Sequence, residues 1–322
     1  MTNEVVTPNN DTVLIEGNIP ATGSSIQNDT RQKTCPAVPP NLVGPIKVWV
    51  DSPPFEVLAK SFQSLEPGGH GFPKDCQARH RVAIIIPYRD REEHLRILLR
   101  NLISLFIKQQ LDFGIFVVEQ KQNETFNRAK LMNVGFAEAV KVYDWQCFIF
   151  HDVDLLPEND RNLYSCPSQP RHMSVAIDKF KYRLPYGAIF GGVAALTKAQ
   201  FEKINGFSND YWGWGGEDDD LSTRVRIGGY KIARYPNSIA RYKMIKHSSN
   251  KENPVNNTKK WYLRCRYKLM YKTKVRWQKD GLSSLKYKVL KITKYPLYTN
   301  IYVSLLEAES RDALHREGFK GC

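Results

Sequence analysis

The run Asn209-Asp210-Tyr211-Trp212-Gly213-Trp214-Gly215-Gly216-Glu217-Asp218-Asp219-Asp220 sets four acids in succession behind glycines and two tryptophans. Adjacent carboxylates repel, so a fold keeps them where a cation, a substrate or bulk water answers the charge. Sugars are bound by such means: the C–H face of a pyranose packs on an indole while carboxylates accept its hydroxyls. The same acids would equally suit the first turn of a helix, at the positive end of its dipole. Both hold at once if a helix after Gly216 aims the acids and the loop before it closes over a ligand. A second acidic group, Asp152-Val153-Asp154, offers two carboxylates as a hard oxygen site for Mg²⁺ or Mn²⁺. Asp-x-Asp alone is also common as a solvated turn.

These residues need a scaffold to place them. Val82-Ala83-Ile84-Ile85-Ile86-Pro87 reads as a buried, parallel strand. Leu95, Leu98, Leu99, Leu102, Ile103 and Phe106 then recur at helical spacing and predict a helix from about 91 to 109. A strand over 113–118, a helix over about 127–141 and a strand over 147–150 follow. Strand and helix alternating in this way is the pattern of a doubly wound α/β sheet. Ligands in such sheets bind beyond the carboxyl ends of the strands, where Asp152 and Asp154 fall. Alternation along an extended strand predicts both acids on one side. Residues 1–43, rich in Thr, Asn, Pro and Ser without either period, read as a flexible stem before a single domain over 44–322.

An apolar content of 42% supports a sizeable core and excludes disorder throughout. The net charge is +14, yet the segment 241–300 alone supplies a surplus of +15, so the rest of the chain is close to neutral. Trp261, Tyr262, Tyr267, Tyr271 and Trp277 stand among those cations. Such a tract could grip nucleic acid, attract an anionic diphosphate ligand or lie against an acidic membrane. No nucleic-acid-binding motif accompanies it, and no nucleic-acid partner is expected. The six cysteines form no C-x-x-C pair, so a zinc site is not expected. Sequons begin at Asn10, Asn28, Asn123 and Asn256; with an even cysteine count they point to a secretory, oxidising compartment. No run of eighteen apolar residues and no signal-peptide pattern occurs.

Several motifs in one order resemble the β-1,4-galactosyltransferase family from about Cys35 to Tyr298. They are Ile84-Ile85-Ile86-Pro87-Tyr88-Arg89-Asp90-Arg91, Phe126-Asn127-Arg128-Ala129-Lys130, Asp152-Val153-Asp154, Phe190-Gly191-Gly192-Val193, Trp212 to Asp220, and Met244-Ile245-Lys246-His247. The resemblance implies a GT-A type nucleotide-diphospho-sugar transferase fold with a long mobile loop, in the Golgi lumen behind a type II anchor. It implies inverting transfer of a hexose from a UDP-sugar to the 4-hydroxyl of a terminal N-acetylglucosamine. Asp154, Met244 and His247 would then hold Mn²⁺, although by themselves Met244 reads as core and His247 as an ordinary surface histidine. The ion would neutralise charge on the departing diphosphate. Asp218 would be the general base and Glu217 would hold the donor sugar. Asp219 would orient the acceptor, and Trp214 would close over the donor. Pro87, Arg89, Arg91, Phe126, Arg128 and Val153 resemble the uridine and phosphate contacts; an arginine outside such a motif is more often a surface ion pair. Phe180 and Tyr186 would stack on the sugars, or serve as plain core, and Lys179 and Gly216 complete the implied substrate site.

The donor turns on Ile189. Members using UDP-galactose typically carry tyrosine immediately before Phe-Gly-Gly, packed near the C2 substituent. Isoleucine removes bulk and a hydroxyl, which leaves room for an acetamido group and points to UDP-GalNAc as donor. UDP-galactose is the alternative, with Ile189 then a neutral packing change; a GlcNAc-terminated glycan is the acceptor in either case. The family pattern pairs Cys35 with Cys76 and Cys147 with Cys166, and leaves Cys265 and Cys322 outside it. Residues from about 259 to 279 are longer and more basic than the family's usual loop, and the chain lacks the family's anchor, as a catalytic-domain piece or a soluble form would. A non-catalytic glycan-binding protein on this fold would be expected to have lost Asp154, Asp218 or His247, and all three are present.

Overall fold

The computed structural model describes residues 33–246, 259–320 and 322, the side chains of 259–264 excepted. Its helices are α1 (Phe55–Ser61), α2 (Glu92–Lys108), α3 (Arg128–Ala139), α4 (Lys198–Lys203), α5 (Glu217–Ile227), α6 (Lys259–Arg276) and α7 (Glu307–Arg316). The strands are β1 (His70–Gly71), β2 (Arg81–Tyr88), β3 (Asp112–Gln120), β4 (Cys147–His151), β5 (Leu155–Pro157) and β6 (Arg171–His172). They continue as β7 (Ala176–Ile177), β8 (Val193–Thr197), β9 (Ala233–Arg234), β10 (Arg241–Met244), β11 (Lys288–Lys294) and β12 (Thr299–Ser304).

Nine strands form one sheet in the order β11-β12-β3-β2-β4-β8-β6-β9, with β1 paired to β3. Its centre, β12-β3-β2-β4, is parallel, and β8 and β11 are antiparallel additions on the two flanks. Alternation sends Val82, Ile84 and Ile86 of β2 into one buried cluster with the apolar stripe of α2. Ala83 and Ile85 face the other cluster, with α3. The sheet is thus covered on both faces, which is why its central strands read as unbroken apolar runs. Asn127 caps α3, its side chain accepting from the Lys130 amide.

The compact unit runs from Lys33 to Cys322. Residues 33–43 of the expected stem therefore lie within it, held by the Cys35–Cys76 disulfide and by the Val43 amide donating to Asp160 at 3.0 Å. Residues 1–32 lie outside the described residues. Cys147–Cys166 is also formed. Cys265 and Cys322 pair as well, tying α6 to the chain's last residue. No described helix is long and apolar enough to cross a membrane.

Candidate active site

One guanidinium organises the acids at the carboxyl ends of the central strands. Arg128, the first residue of α3, donates to Asp152 at 2.5 Å and to Asp218 at 3.0 Å, and lies 3.8 Å from Glu217. Three carboxylates around one cation answer the repulsion noted above. Burial would lower Arg128, but Asp152, Asp218 and Glu217 together hold it above the usual arginine value. Burial raises Asp218, Arg128 opposes that rise, and Asp152 adds to it. Burial and then the neighbouring Asp218 push Glu217 up to about 8, against Arg128. Glu217 Oε2 is buried without a hydrogen-bond partner among the described residues, an acceptor that a ligand hydroxyl would satisfy.

The four acids divide by helical phase. Gly216, at φ 96°, caps α5, and the acids occupy its first turn. Glu217 and Asp218 turn to Arg128, while Asp219 accepts from the half-exposed Tyr186 hydroxyl at 2.8 Å. Asp220 points into the protein, where Arg224 and the Thr273 hydroxyl donate to it at 2.5 and 2.6 Å. The tryptophans divide likewise. Trp214 is 81% exposed at the loop tip, whereas Trp212 is buried, so a single indole of the pair is open to a ligand.

Strand β4 ends at His151, one residue short of the Asp-x-Asp, and the acids sit on the turn that follows. The alternation predicted for them does not apply there. Asp152 is engaged by Arg128, and Asp154 lies beside β10: Met244 pairs in register with Leu155, and the Ile245 amide donates to the Asp154 carbonyl at 2.8 Å. Burial raises Asp154, opposed by Arg128, Lys179 and Arg91, which places three cations close enough to act on it. The Asp154 carboxylate is a hard oxygen donor suited to Mn²⁺, and the backbone register brings the soft thioether of Met244, an unusual ligand for that ion, to the adjacent strand. His247, expected as the third ligand, lies outside the described residues.

Of the expected nucleotide contacts, Pro87 is the penultimate residue of β2, and buried Arg89 stacks 5.2 Å from the Phe126 ring and donates to the Glu124 carbonyl at 2.6 Å. Arg91 precedes α2, and Val153 is half-buried between the two aspartates. Phe180 and Lys179 are exposed, with the Lys179 ammonium 5.9 Å from the Phe180 ring centre. Asn123 is exposed in the turn after β3; Asn10, Asn28 and Asn256 lie outside the described residues.

The spacing of residues gives no sign of the supports behind Ile189 and Gly191. Arg234 of β9 donates to the Ile189 and Gly187 carbonyls at 2.7 and 3.0 Å. The Gly191 carbonyl accepts from Ser174 at 3.0 Å and sits 3.0 Å from His172 Nε2. Burial, then Arg234, hold His172 down to about 3, so it stays neutral and donates through Nε2 while Nδ1 accepts from Arg234 at 3.2 Å. Gly191 itself abuts the acid: a Cβ there would lie 2.2 Å from Asp218 Oδ2. These bonds fix the segment bearing Ile189 against Asp218, and β6 and β9, only two residues each, carry no periodicity that could announce them.

The chain matches the family model described as the N-terminal region of glycosyl transferase group 7 over residues 35–167. It matches the one described as the N-terminal domain of galactosyltransferase over residues 171–248. It is 51% identical over 269 residues to beta-1,4-galactosyltransferase 3 of Bos taurus, covering 83% of this chain and 66% of that protein. To beta-1,4-galactosyltransferase 2 of Cricetulus griseus it is 49% identical over 275 residues, covering 84% and 72%. The chain thus spans about two thirds of the length of the curated relatives it matches. Among solved structures, the catalytic domain of Drosophila beta1,4galactosyltransferase 7 with xylobiose superposes at a TM-score of 0.57, with 32% identity over 70% of this chain and 94% of that one. A variant of that enzyme in complex with manganese, UDP-Gal and xylobiose gives 0.58 and 31%, with the same coverage. The architecture is the GT-A type, and on identity, coverage and fold together the chain belongs to the β-1,4-galactosyltransferase family.

Proposed function

We propose that this chain is the catalytic part of an inverting transferase that moves a hexose from a UDP-sugar to the 4-hydroxyl of a terminal N-acetylglucosamine on a glycan. The observation that carries the reading is the Asp218 carboxylate, paired to Arg128 at 3.0 Å and packed against Gly191 at the ends of the central strands. A hydroxyl is a weak nucleophile until its proton is accepted. In this reading Asp218 takes that proton, the acceptor oxygen forms a bond to the anomeric carbon from the far side, and the bond to the UDP oxygen breaks. Arg128 keeps Asp218 ionised and oriented, while burial raises its basicity toward the working pH. Glu217, with Oε2 unsatisfied, would take a donor hydroxyl, and Asp219 with Tyr186 would position the acceptor. Trp214 would cover the donor. Arg89, Phe126 and Pro87 would line the uridine side with Val153, and Arg91 and Lys179 would face the diphosphate.

Manganese in the Drosophila complex supports the same ion here; the Asp154 carboxylate is a donor of the type that ion takes, and β10 carries Met244 beside the same turn. Those two would hold it with His247. When bound, such an ion neutralises charge on a departing diphosphate.

UDP-galactose is the donor favoured by the named relatives and by the sugar nucleotide in the Drosophila complex. Ile189 favours a second reading, UDP-GalNAc: its side chain is short of a tyrosine's reach, and its backbone is pinned by Arg234 two residues before Gly191. We further propose a Golgi-luminal location. The test is a donor screen on a GlcNAc acceptor with Mn²⁺ and with chelator. Transfer needing Mn²⁺ is expected, and absence of transfer from both donors would overturn the reading. Ile189→Tyr should suppress GalNAc transfer more than galactose transfer; equal losses would remove the second reading.

A further inference from the structure

The tract whose surplus of +15 exceeds the chain's whole net charge of +14 is left unexplained by the transfer reaction, and α6 lies within it. Cys265, Leu269 and Thr273 form its buried stripe, at i, i+4 and i+8. The opposite side carries Tyr267, Tyr271 and Val275 at the same interval, 43%, 85% and 70% exposed. At 3.6 residues per turn, exposed Lys274 flanks that stripe on one side and exposed Lys268 and Lys272 on the other. From Cys265 to Arg276 the helix is thus buried towards the protein, aromatic and apolar along its outer midline, and lysine-edged on both sides.

Two arginines of α6 have described side chains, Arg266 and Arg276, and both are engaged within the protein. Arg266 stacks 4.8 Å from the Tyr267 ring, and Arg276 pairs with Asp210 at 2.5 Å, Glu317 at 3.2 Å and Asp280 at 3.5 Å. Among the described residues, the cations flanking the outer midline are lysines, mobile point charges on long stems rather than forks shaped for a protein carboxylate. Tyrosine and valine along a midline with lysines beside them suit a helix lying flat at a lipid surface, rings among the headgroups and ammonium groups on the phosphates.

We propose that the outer face of α6 docks on an anionic phospholipid surface. Its inner side touches the active site: a Cβ on Gly216 would lie 2.4 Å from Arg266 Cγ, and Gly216 caps the catalytic helix. Docking would therefore hold that cap about one helix diameter, ~10 Å, from the headgroups. Acceptors attached to the same membrane would be favoured over free ones.

Flotation of the full chain with vesicles of phosphatidylcholine alone, and with added phosphatidylserine, tests this. Binding to the anionic vesicles only, falling steeply with salt, is expected. Replacing Lys268, Lys272 and Lys274 together by Gln should weaken it about 100-fold, and Tyr271→Ser about tenfold. Both variants should keep parental transfer to a soluble acceptor, which shows that they fold. Equal partition onto neutral vesicles, or none onto anionic ones, overturns the proposal. Capture by heparin through the same lysines without vesicle binding assigns the face to a soluble polyanion and also overturns it. Full binding by Tyr271→Ser would leave charge attraction without docking, and sinks the flat-lying helix.

Discussion

Gly191→Ala adds one methyl group to the chain and aims it at the proposed base. The new carbon would stand 2.2 Å from Asp218 Oδ2, 2.6 Å from its Cγ and 3.1 Å from Oδ1. Carbon and oxygen are comfortable near 3.5 Å, so the carboxylate must retreat by about 1 Å. It has somewhere to go, because the Asp218 side chain is 30% exposed, and Gly191, unlike Gly192, has no positive φ to strain an alanine. The melting temperature should accordingly change little. A displacement of that size at a reacting group costs about 100-fold in rate, so kcat should fall by about that factor with a smaller change in donor KM. Gly187→Ala is the matched control: it alters the same segment, but nothing lies within 4 Å of the added carbon, and it should be silent. The double variant Gly191→Ala with Asp218→Asn separates mechanism from general damage. If the methyl acts through Asp218, the double variant is no slower than Asp218→Asn alone. A kcat for Gly191→Ala within threefold of the parent, or a further hundredfold loss in the double variant, would refute the reasoning.

Asp218→Asn by itself should lower kcat about 1,000-fold with the fold retained, and a loss below tenfold in steady-state assays would remove the carboxylate from proton transfer. Glu217 makes a pH-dependent contribution whose sign is fixed by its raised pKa. The folded chain binds that proton more tightly than the unfolded chain, so the contribution is complete below the unfolded value of ~4.3 and is lost as pH climbs through about 8. Thermal melts between pH 5 and 8.5 should show the parent losing stability relative to Glu217→Gln; parallel curves would mean the carboxyl is already ionised. Opening the Cys265–Cys322 bridge with Cys265→Ser and Cys322→Ser together frees residues 57 apart in sequence. Denaturant melts should register about 4 kcal/mol of lost stability by the chain-entropy relation, and a loss below 1 kcal/mol would show that α6 and the C-terminus are held by packing instead.

The first half of the fold was legible because its elements announce themselves by period. The strand at 81–88 and the helix at 92–108 fall within a residue or two of the sequence expectation, since each buries a face that the 2- or 3.6-residue repeat makes visible. The acidic run was recognisable too, because four adjacent carboxylates are costly wherever they are not answered. What answered them was not visible. Arg128 lies 24 residues from Asp152 and 90 from Asp218.

The sequence by itself determined the central strands with their covering helices, the existence of an acidic site at their ends, and the chemistry open to those acids. Local pattern and charge depend on residues close along the chain, and a reader of the chain has those. The tertiary structure alone decided which acid does what. It sent Asp220 to Thr273 and Asp218 to Arg128, buried Trp212 while leaving Trp214 outside, and brought Met244 alongside Leu155. It also closed Cys265 onto Cys322. Helical phase, strand register and loop closure join residues remote in sequence, and no short-range pattern encodes those partners.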